Sequence, residues 1–243
     1  MTPPASSRAA ALRSTLRSFS VRLFLFASGL FLSAFAVALM ARSGLGTAPV
    51  STLPYALSRL LPLSFGSATA LTNAGFLLAQ IVVLGKQFKP QLLLQLAVAA
   101  SFGAFVDAAM TLTAFAEKIS YWGAIAVCIA SCVILGFGIA LQIRSDVSFL
   151  PAEGLVRAVS LRHNLKFGRV KIVCDSSYVL TAAILTLLFL SKVEGVREGT
   201  LISALSVGFF VSLSFKLLDR AGALSRRTKW ENKETSLTCS DKF

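Results

Sequence analysis

The chain alternates long apolar runs with short polar or basic breaks. Runs of about 20 residues fall near 23–40, 67–84, 92–115, 122–143, 172–190 and 201–218. A helix needs about 20 apolar residues to cross about 30 Å of hydrocarbon, so the pattern predicts six transmembrane helices. Shorter stretches follow the first and fourth runs. In the first of them Val50, Leu53, Leu57, Leu60 and Leu61 recur at helical spacing, too few residues to span a bilayer. Thr47 suits an N-cap there, and Pro49 suits a first turn because its missing N–H has no partner to lose. Such a segment either lies in the interface or re-enters the membrane.

The two short stretches are copies of one pattern. Arg42-Ser43-Gly44-Leu45-Gly46-Thr47-Ala48-Pro49 returns 102 positions later as Arg144-Ser145-Asp146-Val147-Ser148-Phe149-Leu150-Pro151. Residues 38–68 lie on 140–170 without a gap, and eleven of the 31 pairs are identical. So apolar a composition gives about two or three by chance. Asn73 falls opposite Asp175 at the same offset, and with a three-residue shift residues 101–106 resemble 206–211. Each unit is thus helix, broken linker, helix, turn, helix.

Three spans per unit is an odd number, which predicts opposite orientation of the two units. The Lys and Arg distribution sets the direction. With the N-terminus cytosolic, 19 basic residues fall inside and 5 outside. Both termini are expected in the cytosol. The organisation that follows is a basic N-terminal segment (1–22), a first repeat (23–115), a second repeat (122–218) and a polar cytosolic tail (219–243). Residues 1–22 followed by Leu23–Met40 resemble a signal peptide, with Ala36-Val37-Ala38 near a cleavage pattern. The counterpart of that run lies mid-chain, so it is read as a retained span.

Composition agrees with a membrane protein. Charged residues are 14% of the chain, against about 25% in soluble domains. The net charge of +13 would suggest nucleic acid in a soluble protein. Here the basic residues flank apolar runs, so the expected partners are anionic lipid headgroups at the cytosolic face, with no nucleic acid. A homo-oligomer is left open. Cys128, Cys132, Cys174 and Cys239 have no zinc or disulfide spacing and read as packing residues. His163, the one histidine, makes no metal site alone. No phosphate loop, nucleophile elbow or His-Glu-x-x-His motif occurs. The expectation is a non-enzyme with no cofactor and no metal.

Candidate chemistry is sparse. Asp107 and Asp175 fall within predicted spans, where a carboxylate at mid-bilayer costs roughly 2.5–3.5 kcal/mol and usually lines an interior path. Lys171, one turn before Asp175, offers it an ion-pair partner instead. Gly44 and Gly46 permit tight turns, and with Thr47 they open a helix whose N–H groups could face a polar ligand. Glu153 replaces Ser51 in the second copy. The candidate lining is Asp107, Asp175, Asn73, Thr47, Gly44, Gly46 and Glu153.

Through Gly44-Leu45-Gly46-Thr47-Ala48-Pro49 and Leu63-Ser64-Phe65-Gly66, the chain resembles the YczE/YyaS/YitT-like family of bacterial membrane proteins. The resemblance implies a multi-helix bacterial inner-membrane protein and supplies no substrate. The second linker departs from the family's glycines. The resulting expectation is an all-α protein with six transmembrane helices as two inverted three-helix repeats, with broken or re-entrant linkers after helices 1 and 4. The leading function is a secondary transporter or permease for a small solute, its site between the repeats. The alternative is a non-transporting membrane partner or regulator that binds lipid or another protein.

Overall fold

The computed structural model describes residues 5–220, with side chains from Phe19 onward except at Glu117 and Lys118. The polar tail beyond Arg220, with Cys239, lies outside the described residues. Eight α-helices occur among them: α1 (Ala5–Arg42), α2 (Pro49–Leu60), α3 (Phe65–Leu84), α4 (Leu94–Leu112), α5 (Tyr121–Ser145), α6 (Pro151–His163), α7 (Phe167–Leu190) and α8 (Glu198–Arg220). No strand occurs among the described residues. Six helices are long and apolar enough to span a bilayer: α1 from Phe19, α3, α4, α5, α7 and α8. The protein is an all-helical integral membrane protein.

Three boundaries differ from the hydrophobic runs. Helix α1 begins at Ala5 rather than near residue 23. No glycine or proline interrupts residues 5–28, and that stretch is rich in alanine, so nothing stops the helix. Helix α7 begins at Phe167 rather than near residue 172, since the charges of Arg169 and Lys171 keep its first turn out of the apolar run. Helix α4 is shorter than expected. Pro90 starts a 3-10 turn over Pro90–Leu93, and another 3-10 segment follows at Ala114–Lys118.

Register follows the repeat. Helices α2 and α6 start at Pro49 and Pro151, and α3 and α7 at Phe65 and Phe167, each pair 102 positions apart. The equivalent helices α1 and α5 form the central pair. Gly29 and Gly138 let them cross closely. A Cβ on Gly29 would stand 2.7 Å from the Gly138 carbonyl oxygen. Gln142 Nε2 then donates across the crossing to Gly29 O (3.1 Å) and Ser33 Oγ (2.7 Å). Small residues with a polar bridge are how membrane helices associate without a hydrophobic gain against lipid.

The remaining long helices pack within their own half, and the two short helices exchange partners between halves. Helix α4 lies on α1, and α8 on α5; the short helix α2 lies on α7, and the short helix α6 on α3. One pairing breaks this pattern. Helices α3 and α4 pack closely through Gly66 and Gly103, whereas α7 and α8 do not pack on each other. The outer faces of α7 and α8 carry exposed Leu180, Leu187, Leu188, Leu205 and Phe209.

Candidate functional site

The two short helices bring the halves together. Each begins with a proline, and neither N-cap residue, Ala48 nor Leu150, offers a side-chain cap. Their first turns pack into one small cluster. Phe76, Ala152 and Tyr178 are buried there, with Val50, Leu53, Leu155 and Cys174 against them. Phe76 and Tyr178 stand 102 positions apart and are equivalents of one another. Their rings meet at 4.8 Å between centroids. At 1.5 Å per residue, Phe76 lies about 16 Å from the start of α3, half of a hydrocarbon core. Gln80 seats α6 on α3, donating from Nε2 to Pro151 O (2.8 Å) and to Gln95 Oε1 (3.0 Å). Gly154 permits this approach, since a Cβ there would be 2.6 Å from Gln80 Oε1.

Polar groups surround the ring pair. Lys171 Nζ and Asp175 Oδ2 form an ion pair at 3.1 Å, one turn apart on α7. Glu153, in the first turn of α6, shares their field. Its side chain keeps some accessible surface, yet enough protein encloses it that burial raises its carboxyl above the ordinary range. Lys171 opposes that rise and Asp175 adds to it. Asn73 lies almost one turn before Phe76. Its Nδ2 donates to Thr69 O (2.9 Å), while its Oδ1 has no partner. The Tyr178 hydroxyl is also buried, with only the weakly hydrogen-bonding Cys174 thiol beside it, one turn earlier on α7. Both residues are under 10% exposed. Leaving an acceptor such as Asn73 Oδ1 unsatisfied costs about 1–3 kcal/mol, so its place at this junction calls for a functional reason.

The first linker does something different. Gly44 (φ +73°) and Gly46 (φ +106°) turn the chain through the left-handed region. The turn presses the linker against the α7–α8 loop. A Cβ on Gly46 would stand 2.4 Å from Thr200 Oγ1. Thr47 N–H donates to Gly195 O (3.1 Å), Gly199 N–H to Leu45 O (2.8 Å), and Arg197 Nη1 to Gly44 O (3.0 Å). Arg59, near the end of α2, reaches Glu194 at 2.6 Å, and Lys192 reaches the same carboxylate at 2.5 Å. Arg59 first, then Lys192, holds the Glu194 carboxyl below the usual carboxylate range. These contacts form a clamp across one end of the molecule. Thr47 is fully buried in it, and its hydroxyl has no partner.

The second linker repeats the turn but not the clamp. Asp146, equivalent to Gly44, also has positive φ (+50°), which Asp tolerates. Arg22 secures it, donating to Ser145 O (2.7 Å) and pairing with Asp146 Oδ2 (3.0 Å). Arg144 is buried, paired with Asp219 and placed over the Phe215 ring. Among the described residues no hydrogen bond joins this linker to the α3–α4 turn.

Asp107 belongs to neither set. Its Oδ1 accepts from Gly66 N–H (2.7 Å) and its Oδ2 from Ser64 Oγ (2.6 Å). It caps the N-terminus of α3, where a negative charge also meets the positive end of the helix dipole. The sequence-predicted lining therefore divides. Asn73, Asp175 and Glu153 flank the central ring pair, Gly44, Gly46 and Thr47 build the clamp, and Asp107 caps a helix. The sequence reading missed Tyr178, Lys171 as a shared neighbour of two acids, and Glu194, Gly195 and Gly199 as the clamp's other side. The 102-residue offset pairs Tyr178 with Phe76 and could have found that one. Among the described residues no three His, Cys, Asp or Glu side chains gather to hold a metal.

These features define a polytopic helical membrane protein in which a short helix from each half is held against a long helix of the other. Residues 20–216 match DUF6198, a family of unknown function, and the chain belongs to that family. No curated protein matches it, and no solved structure matches it.

Proposed function

We propose that this protein is a secondary transporter or permease for a small solute in a bacterial inner membrane, built from two units of opposite orientation. The observation that carries this reading is the exchange at the centre. Helices α2 and α6 each pack on the long helix of the other half, and their first turns meet at Phe76 and Tyr178. Broken helices meeting near the bilayer midplane between repeats are where secondary transporters bind solute. The unequal ends support the same reading: among the described residues the first linker is bonded to the α7–α8 loop, whereas the second is held by Arg22 and Asp219. Alternating access needs two such states of one fold. In this reading the termini are cytosolic, the basic second linker and tail lie on anionic lipid, no nucleic acid is bound and no chemistry is catalysed. The glycine-rich linker makes a YczE/YitT-like relationship part of the same proposal.

The test is thiol labelling from each side of the membrane, in a background without native cysteines. Gly46 is a poor probe position, because its φ and the nearby Thr200 exclude a side chain. Leu61 and Leu161, both exposed, report the ends of the short helices; Leu53 and Leu155 report their depth. Labelling of Leu61 and Leu161 positions from opposite sides, with water reaching the two deep positions, is expected. Labelling of all four from one side, or protected deep positions in every condition, removes the proposal.

A second reading, a membrane partner of another protein, is favoured by the unpaired α7 and α8 faces. A second copy of the chain fits that face as well as another protein does. Co-purification of one defined partner with unlabelled deep positions would select it.

A further inference from the structure

The first half is closed where the second half is open. In the first half Gly66 and Gly103 are buried against each other, and a Cβ on Gly103 would stand 2.5 Å from the Gly66 carbonyl oxygen. Their equivalents are Gly168, 102 positions on, and Gly208, reached by the three-residue shift that lays 101–106 on 206–211. Both are exposed, and among the described residues no atom of another helix lies within 4 Å of where their Cβ would be. Helices α7 and α8 thus carry both faces of a crossing that α3 and α4 have made. Small residues that let backbones approach are what join helices in lipid, so the second half holds the means of the contact without the contact.

A difference in polar residues accounts for this. Asp107 on α4 accepts from Ser64 Oγ (2.6 Å) and Gly66 N–H (2.7 Å), which latches α4 to the start of α3. In the second half Ser212 stands for Asp107 and Lys166 for Ser64. Ser212 Oγ donates within its own helix, to Gly208 O (3.0 Å), and Lys166 gives α7 no side-chain cap. Helix α7 lies instead on α2 of the other half. The clamp fixes that placement, because Arg59 of α2 pairs with Glu194, just beyond α7, while Arg197 Nη1 donates to Gly44 O.

Latch, crossing and clamp are three inequalities in one repeated backbone. Exchanging the roles of the halves gives a second arrangement made of the same kinds of contact, with α7 on α8, α3 released from α4 and the clamp open. Packed helices switch between such discrete arrangements and do not deform continuously. The α8 of the same chain is the partner in reach. The loop of residues 191–197 keeps its start beside the end of α7, where Glu194 N–H donates back to Thr186 Oγ1 (3.4 Å).

We infer that α7 and α8 form a gate that closes at Gly168 and Gly208 when the first-linker clamp opens. The inference rests on the transport reading and supplies its moving part.

The test measures the separation of two spin labels by pulsed electron spin resonance. They are attached at Arg169→Cys and Lys216→Cys in the full-length protein without native cysteines, in vesicles of phosphatidylethanolamine and phosphatidylglycerol. Both positions are exposed, at the end where α7 begins and α8 finishes. Two further changes drive the gate. Lys166→Ser with Ser212→Asp installs the first half's latch in the second. Glu194→Gln with Arg197→Ala weakens the clamp and leaves its backbone bonds in place. Each pair should raise the fraction of a shorter separation about fivefold, the population change that about 1 kcal/mol produces. Separations that are the same in the parent and both variants overturn the inference. A response to the latch alone overturns the coupling of gate to clamp. A short separation in singly labelled protein assigns the open faces to a second copy of the chain and overturns the gate. If the latch variant fails to fold, the clamp variant decides the question. The measurement needs no solute, so its failure leaves the transport reading to the thiol labelling. One-sided labelling with an intact response removes the transport reading alone.

Discussion

Replacing Asp107 tests whether an acid inside an apolar run is a path residue or a structural cap. Its carboxylate accepts one backbone N–H at 2.7 Å and one hydroxyl at 2.6 Å. Hydrogen bonds to charged groups contribute about 1.5–3 kcal/mol each when enclosed. The Ser64 partner is exposed, so the lower part of that range applies, with a few tenths more from the helix dipole. Asp107→Ala leaves the Gly66 N–H unpaired and should cost about 2 kcal/mol. For a chain of this size that corresponds to a fall of about 4–8 °C in the thermal transition. Asp107→Asn keeps one acceptor for Gly66 and should cost about half as much. The assay is thermal unfolding of the purified full-length protein in one detergent, run with Ser64→Ala and the double variant. If Asp107 acts through the cap, the two single losses overlap. The double variant should then fall short of their sum by about 1 kcal/mol. Unchanged transitions for both Asp107 variants, or strictly additive losses, would refute the cap. Abolished transport at unchanged stability would return Asp107 to the pathway.

Other outcomes follow from the same contacts. Gly66→Ala should prevent recovery of folded protein, because its Cβ would sit 2.0 Å from the Gly103 carbonyl oxygen; Gly75→Ala on the same helix, with open space around it, should be neutral or stabilising by about 0.5–1 kcal/mol. Glu194→Gln should weaken the clamp by at most about 1 kcal/mol, as its partner Arg59 is half-exposed. Because the Glu194 carboxyl is held below its unfolded value, its contribution is present above about pH 4.3 and disappears as the pH falls below that. The wild type should therefore lose the difference from Glu194→Gln in acid, as read by thermal unfolding across pH. Tyr178→Phe removes a buried hydroxyl whose neighbour is the weak Cys174 thiol and should raise the thermal transition by a few degrees.

Much of the architecture could be read from local pattern. Six apolar runs gave the spans, and Pro49 and Pro151 marked the starts of the two short helices. The 102-residue offset paired Phe65 with Phe167, and in the structure both open a long helix. It was the better guide to α7, whose start the hydropathy of Arg169 and Lys171 concealed. Long-range pairing was not legible. Asp107 meets Gly66 across 41 positions, and nothing near Asp107 signals that a helix N-terminus stands beside it. Gly44 and Gly46 announced a turn, but the second role of Gly46, close approach to Gly195 and Thr200, depends on a loop about 150 residues away. Lys171 could be read beside Asp175 because helical spacing is local. Its reach to Glu153 required the packing of α6 on α7.

The repeat also explains where function can be specialised. A duplicated backbone fixes the crossing of α1 with α5 and the mutual seating of α2 and α6, so both halves must keep residues that fit these contacts. The side chains facing the Phe76–Tyr178 junction are freer, and there the halves diverge in one direction. Every ionisable group lies on α6 or α7, and the α2–α3 side presents hydroxyls, an amide and a phenyl ring. Since charge is costly in this setting, placing all of it on one half confines the cost to a single local network in which Lys171 offsets one acid. If Ser51→Glu and Asn73→Asp were introduced together, the second acid pair would have no lysine, because Thr69 occupies that place. The doubly substituted protein should then be less stable, and adding Thr69→Lys should restore part of the loss. Equal stability with and without Thr69→Lys would show that the lysine's neutralising role in the native half has been misassigned.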